Sequence, residues 1–192
     1  MTVWKKANRY IFNKINGFAL DSPNKNAAHV SDLVLCDLFE VLSEVKGFFQ
    51  VRFPDGRLAF VKKNECLSYA DWTRQSLNIQ SVLTVARQML GVPYFWGGTS
   101  SKATDCSGLT KTSYYSQGVI LARDASQQVR YGMHPNFSDY QNLQPGDLIF
   151  FGSNPKRVTH VGMYLGQGKF IHASGSSAMV RLNSLNPNDP LF

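Results

Sequence analysis

The sequence contains no apolar run close to the ~20 residues that a membrane-crossing helix requires, so no membrane span is expected. Its first residues, Met1-Thr2-Val3-Trp4-Lys5-Lys6, carry cations but no apolar core and no small-residue cleavage site, and they do not read as a signal peptide. The chain as it stands is therefore expected in the cytoplasm; with a leader removed, it would belong to the cell envelope or the exterior. Cysteine is scarce. Cys36, Cys66 and Cys106 form no C-x-x-C pair and no zinc-type cluster with the four histidines, so no metal or other cofactor is expected. Cys36 and Cys66 sit in apolar, strand-like runs and read as core residues, although the sequence leaves a bridge between them open. Acidic residues are also few, 13 against 20 Lys and Arg, for a net charge of +7. Such an excess serves nucleic-acid recognition where the cations cluster on one element. Here they are scattered, at Lys5, Lys6, Arg9, Lys14, Lys62, Lys63, Arg123, Arg130, Lys156 and Arg157. No nucleic-acid partner is expected, and the chain reads as a monomer with a basic surface.

What the chain does contain is enough for one small and one medium domain: 192 residues, 43% hydrophobic and 17% charged. Residues 1–16 are aromatic and basic without a clear pattern. Short apolar runs then alternate with turn signals: Phe18–Leu20, Val30–Val34, Phe39–Leu42, Phe48–Phe53 and Leu58–Val61 read as strands. Asp21-Ser22-Pro23-Asn24 and Pro54-Asp55-Gly56 are turns, the second because proline presets φ and glycine supplies positive φ. Five short strands at this spacing predict a small β-barrel. Together with Phe39-Glu40-Val41-Leu42, Gly47-Phe48-Phe49-Gln50-Val51 and Ala59-Phe60-Val61, the region resembles a bacterial SH3-like domain, taken as residues 1–70.

Residues 66–78 read as a linker, and a second domain spans 77–192. Ile79–Leu90 carries one apolar helical face, Val82, Leu83, Val85, Ala86, Met89 and Leu90, and Gly91 and Pro93 end it. Next come a glycine-rich approach and Asp105-Cys106-Ser107-Gly108, which opens an amphipathic run ended by Gly118. A cysteine at a helix start meets unpaired N–H groups and the positive end of the helix dipole, which favour thiolate and supply donors for an oxyanion. Gln127–Tyr131 reads as a short helix, followed by a loop with His134 and Pro135. Leu148–Phe151 reads as a buried strand, Val158–Leu165 and Lys169–Ala173 as a hairpin around Gly166-Gln167-Gly168, and Met179–Leu182 as one more strand. Helices followed by antiparallel strands make an α+β domain.

His160 and His172 lie on opposite arms of that hairpin. A three-residue loop centred on Gln167 pairs Gly162 with His172 and puts both imidazoles on one face. A two-residue loop puts them on opposite faces. Glycines on both sides of Gln167 favour the wider loop with a bulge. One face then offers His160 as a base for the thiol proton and His172 to hold its far ring nitrogen. His29 and His134 have no comparable setting.

At these residues the chain resembles the NlpC/p60 cysteine peptidases. The resemblance rests on Gly91-Val92-Pro93-Tyr94-Phe95-Trp96-Gly97-Gly98, Asp105-Cys106-Ser107-Gly108, Arg123-Asp124, Pro145-Gly146-Asp147-Leu148-Ile149-Phe150-Phe151, His160-Val161-Gly162-Met163-Tyr164-Leu165-Gly166 and Phe170-Ile171-His172-Ala173, over about residues 79–185. It implies a papain-like core that cleaves peptidoglycan-derived peptides at a γ-D-glutamyl–diamino acid bond without a metal. It also implies Cys106 as nucleophile, His160 as base, His172 as its orienter, and Tyr94 near the oxyanion and substrate. Members with an SH3-like domain ahead of the peptidase often require a free N-terminal L-Ala, which assigns Asp105 to its ammonium and Trp96, Ser107 and Ser126 to the same pocket. The competing readings are an amidase or acyltransferase on the same core, and a silent wall-binding module.

Overall fold

The computed structural model describes residues 7–133, 142–154 and 156–192. The loop expected around His134 and Pro135 lies outside the described residues. The chain divides into two compact units, Met1–Ser76 and Leu77–Phe192.

The strands of the first unit form because apolar side chains alternate with polar ones and one face must leave water. They are β1 (Arg9–Phe12), β2 (Asn16–Leu20), β3 (His29–Val34), β4 (Leu38–Val45), β5 (Phe48–Arg52), β6 (Leu58–Lys62) and β7 (Cys66–Ser68). The alternation is clearest in β4 to β6, where Phe39, Val41, Phe49, Val51, Ala59 and Val61 turn inward onto Phe12, Leu33 and Phe53. The turn after β5 forms as its residues require: Gly56 takes φ +88°, and its N–H donates to the Phe53 carbonyl at 2.9 Å.

Three points differ from the sequence expectation. Among the described residues there are seven strands and not five, and their order, β3-β2-β6-β5-β4-β1-β7, leaves two edges, so the sheet is not a closed barrel. The segment 66–78 is also more than a linker. After β7 it forms helix α1 (Tyr69–Arg74), capped by Ser68, whose hydroxyl accepts from the Asp71 N–H at 3.0 Å, and anchored by the buried Trp72. Cys36 and Cys66 are both free thiols, each pushed up to about 12, chiefly by burial. Cys36 is not in a strand but in the turn between β3 and β4, at φ +69°.

The second unit opens with α2 (Ile79–Gln88), which buries Val82, Leu83 and Ala86, and Gly91 follows at φ +80°. Helix α3 (Cys106–Tyr115) packs on two strands of an antiparallel sheet ordered β11-β10-β9-β8. Those strands are β8 (Leu148–Gly152), β9 (Val158–Gly166), β10 (Lys169–Ser174) and β11 (Met179–Ser184). Strand β8 is half-buried and not buried as expected. The short helix α4 is Ala125–Gln128, earlier than the expected Gln127–Tyr131, because Ala125 and Gln128 are the residues that go inside.

The close approach of α3 to the glycine-rich approach fixes one residue type. A Cβ on Gly108 would collide with the Gly98 carbonyl oxygen and come within 2.9 Å of the Thr104 hydroxyl. Gly56 has positive φ but open space around it. Gly108→Ala should therefore cost about 3 kcal/mol or more through overpacking against backbone. Gly56→Ala should cost only about 1 kcal/mol, from the left-handed backbone. Thermal melts of the two variants test this ordering, and equal shifts would contradict it.

Candidate active site

The site is built around the start of α3. Asp105 is the N-cap, and its Oδ1 accepts from the Gly108 N–H at 2.7 Å. Oδ2 accepts from the Gly97 N–H at 2.9 Å, so the same carboxylate ties the glycine-rich approach to the helix. Arg123 closes on it with both terminal nitrogens, at 3.1 Å to Oδ1 and 2.6 Å to Oδ2. Ser107 bridges the pair, donating to Asp105 Oδ1 at 3.2 Å and accepting from Arg123 at 3.0 Å. Burial pushes the Asp105 carboxyl up, but the hydrogen bonds from Arg123, Gly108 and Gly97 more than reverse it, leaving it below the usual range. Beneath them the buried Gln128 donates to the Ser107 and Ala122 carbonyls at 3.1 and 2.9 Å and accepts from Thr110 at 2.9 Å. That ties α4 to α3.

Cys106 is 7% exposed and packs with Ala125 and Val161. Burial pushes its thiol up, and the Asp105 charge adds to this. Hydrogen bonds from the N–H groups of Val161, Ser107 and Cys106 itself act the other way but do not prevail. This corrects the expectation that a helix start makes the sulfur anionic. The N-terminal donors and dipole are present, but Asp105 and burial outweigh them.

His160 Nε2 and His172 Nδ1 are 2.7 Å apart, with the rings nearly perpendicular at 84°. The hairpin reaches this geometry by a route narrower than expected. Lys169 pairs with Gly166, so the turn itself is two residues, Gln167 and Gly168, both at positive φ as a type I′ turn demands. A bulge then leaves Leu165 without a partner, and the ladder resumes as Phe170 with Tyr164 and Ile171 with Met163. That register, carried one pair further, sets His172 opposite Gly162 and puts His160 diagonally beside it. Phe151 and Phe170 flank the two rings. Burial, followed by the neighbouring His172, lowers His160 to about 4. Burial also lowers His172, against its hydrogen bond to Asn183 Oδ1, which raises it. Both imidazoles are therefore neutral at pH 7. Cys106 packs against Val161, so the thiol lies beside the strand residue that follows His160.

The remaining expected residues divide. Tyr94 is close enough to Cys106 and Asp105 for their charges to raise its hydroxyl, although burial raises it more, and its ring lies against Gly175. Ser107 is buried in the Asp105–Arg123 cluster. Trp96 is 80% exposed and Ser126 is exposed on α4; no hydrogen bond joins either side chain to that cluster. Three contributors carried no role in the sequence reading: Arg123, Gln128 and Asn183. Arg123 stood inside a motif, but its contact with Asp105 spans 18 residues that no local pattern connects. Asn183 falls just beyond the expected end of the last strand, and its Oδ1 lies 3.0 Å from His172 Nε2. No cluster of three or more His, Cys, Asp or Glu side chains suited to a metal occurs among the described residues.

The raised thiol beside neutral imidazoles predicts a specific alkylation profile. Modification of Cys106 by iodoacetamide, followed by peptide mass spectrometry, should accelerate steadily from pH 7 to pH 10. A plateau already established below pH 7 would reveal a preformed thiolate–imidazolium pair.

Residues 91–189 match the model of the NlpC/P60 family. A γ-D-glutamyl-L-lysine dipeptidyl-peptidase of Bacillus cereus is 36% identical over 149 residues, covering 76% of this chain and 44% of its own. A probable endopeptidase of Corynebacterium glutamicum is 40% identical over 107 residues, covering 56% and 48%. The crystal structure of an NlpC/P60 family protein from Bacillus cereus superposes with a TM-score of 0.83 at 29% identity, over 98% of this chain and 61% of that one. The chain thus spans about half the length of the curated relatives it matches. With the glycine-rich approach, the cysteine at the helix start and the paired histidines lying inside the matched segment, the chain belongs to the NlpC/P60 family.

Proposed function

We propose that this chain is a cysteine peptidase that hydrolyses peptidoglycan-derived peptides at the γ-D-glutamyl–diamino acid bond. Cys106 is the nucleophile, His160 the general base and His172 its orienting partner. The observation that carries this reading is the 2.7 Å contact between the two imidazoles, one of which precedes Val161, the strand residue that packs against Cys106. The name of the Bacillus cereus relative, a γ-D-glutamyl-L-lysine dipeptidyl-peptidase, supports the substrate class. The first unit is proposed to be SH3-like, as an open seven-stranded sheet and not a closed barrel.

The chemistry follows from the protonation states. At rest the thiol and both imidazoles are neutral. As sulfur attacks the scissile carbonyl, its proton passes to His160, so charge separates only while the carbonyl oxygen becomes an oxyanion. Backbone N–H groups at the start of α3 and the Tyr94 hydroxyl, which stays protonated, can donate to that oxyanion. The imidazolium then gives its proton to the leaving amine, and the thioester on Cys106 is cleaved by water that His160 deprotonates.

A free N-terminal L-Ala remains the proposed requirement, with Asp105 as the ammonium anchor. The carboxylate already faces Arg123, so an arriving amine shares it with the guanidinium and does not meet a bare charge. Its net contribution is correspondingly modest, roughly tenfold to hundredfold in kcat/KM.

Cys106→Ala should abolish turnover of L-Ala-γ-D-Glu-diaminopimelate fragments while the peptide still binds. His160→Ala should reduce kcat by roughly 10²–10⁴-fold, the usual range for a general base. His172→Ala should reduce it less, and the opposite order in steady-state assays would exchange their roles. Asp105→Asn keeps an oxygen for the helix cap and should lower kcat/KM more for free-amine peptides than for N-acetylated ones. Equal losses on both would remove the anchoring role.

A further inference from the structure

We infer that Asn183 is a positioning residue, which sets the tautomer of both histidines through a hydrogen-bond relay that begins at a backbone carbonyl. This rests on the proposed roles of His160 and His172.

The relay can be read from one end because its first member has no choice. The Leu191 carbonyl oxygen can only accept. It accepts from the Ser184 N–H at 2.9 Å and from the Asn183 amide nitrogen at 2.8 Å. With its nitrogen committed there, Asn183 must turn Oδ1 toward His172 Nε2, 3.0 Å away. An amide oxygen cannot donate, so His172 Nε2 carries the proton. His172 is neutral, so its Nδ1 is then a lone pair. That lone pair faces His160 Nε2 at 2.7 Å, so His160 Nε2 is the donor. His160 is neutral too, which leaves its Nδ1 unprotonated. Nδ1 is also the one ring nitrogen of His160 not taken up by His172, and thus the atom available to the Cys106 thiol.

The sheet makes this line possible. Asn183 pairs with Phe170 across β10 and β11, while His172 pairs with Arg181. Residues 181 and 183 therefore face the same side as His172, and Asn183 sits diagonally beside it as His160 does on the other flank. Three polar side chains cross three adjacent strands in one diagonal. Without the fixed amide, His172 could carry its proton on Nδ1 and donate to His160 Nε2. His160 would then hold its own proton on Nδ1 and could not take the proton of the thiol.

The experiment reads the tautomers directly, in the full chain. Long-range ¹H–¹⁵N spectra at pH 7 should show both His160 and His172 in the Nε2–H form in the unsubstituted protein, a measurement that needs no variant. Asn183→Leu should release His172 into a tautomer mixture and lower kcat roughly 10–100-fold, the range seen when the partner behind a metal-bound imidazole is lost, with KM on the L-Ala-γ-D-Glu-diaminopimelate fragment changed less than about twofold. Asn183→Asp keeps an acceptor for His172 and should restore the Nε2–H signal and most of kcat. Finding His160 as the Nδ1–H form, or Asn183→Leu with both tautomers and kcat unchanged, would overturn the inference. Failure of the underlying roles looks different: His160→Ala would retain turnover, whatever the spectra of the unsubstituted protein show.

Discussion

The contact between His160 and His172 depends on a single unpaired residue. The two-residue turn at Gln167-Gly168 would, on its own, continue the ladder in the parity that sends these side chains to opposite faces. The bulge at Leu165 shifts one strand by one residue and reverses that parity. Everything the site does with paired imidazoles follows from that shift, which is why the hairpin's geometry outweighs its composition. The turn also explains its own sequence: Gly166, Gln167 and Gly168 all have positive φ, a run that β-branched residues would strain.

Asp105 organises the other half. A carboxylate at a helix N-cap is ordinary, but this one serves the Gly97 and Gly108 N–H groups and the Arg123 guanidinium at once. Its negative charge sits immediately beside Cys106. The residue that stabilises the helix start therefore offsets the electrostatic advantage that a helix start would give a thiol. Arg123 limits the damage by balancing the carboxylate, and the buried Gln128 holds the Ser107 backbone in place behind both. The cluster fixes where the sulfur is more than what charge it carries.

Strands with strict alternation, β4 to β6, could be read from the sequence because period-two burial writes itself into composition. Strands β1 and β7 could not. Arg9–Phe12 and Cys66–Ser68 are only four and three residues long, and β1 owes its place to pairing with β4 on one side and β7 on the other. Partners that far apart in sequence leave no local mark. Helix α1 did leave one, a serine three residues ahead of an aspartate, but it is shorter than two turns and lacks an apolar repeat. In the site, the cysteine and both histidines carried chemistry that the sequence displays. Arg123 and Asn183 act through contacts across 18 and 11 residues, so their parts appear only when the sheet and helix are assembled.

These two halves explain why a neutral resting site is a coherent arrangement. A thiolate–imidazolium pair in surroundings that bury both Cys106 and His160 would have to recover a desolvation penalty on two ions before any substrate arrived. Here burial favours the uncharged form of each partner: it raises the thiol and lowers His160 to about 4. In the proposed reaction, charge is created only when a carbonyl carbon is present to accept the sulfur's electrons, and at that moment the new imidazolium has His172 behind it and the oxyanion has backbone N–H groups before it. Interactions that strengthen as the transition state forms, and are weak before it, lower the barrier without deepening the ground state. The proposed relay from the Leu191 carbonyl through Asn183 fits the same logic: as inferred, it fixes which nitrogen receives the proton while adding no charge of its own.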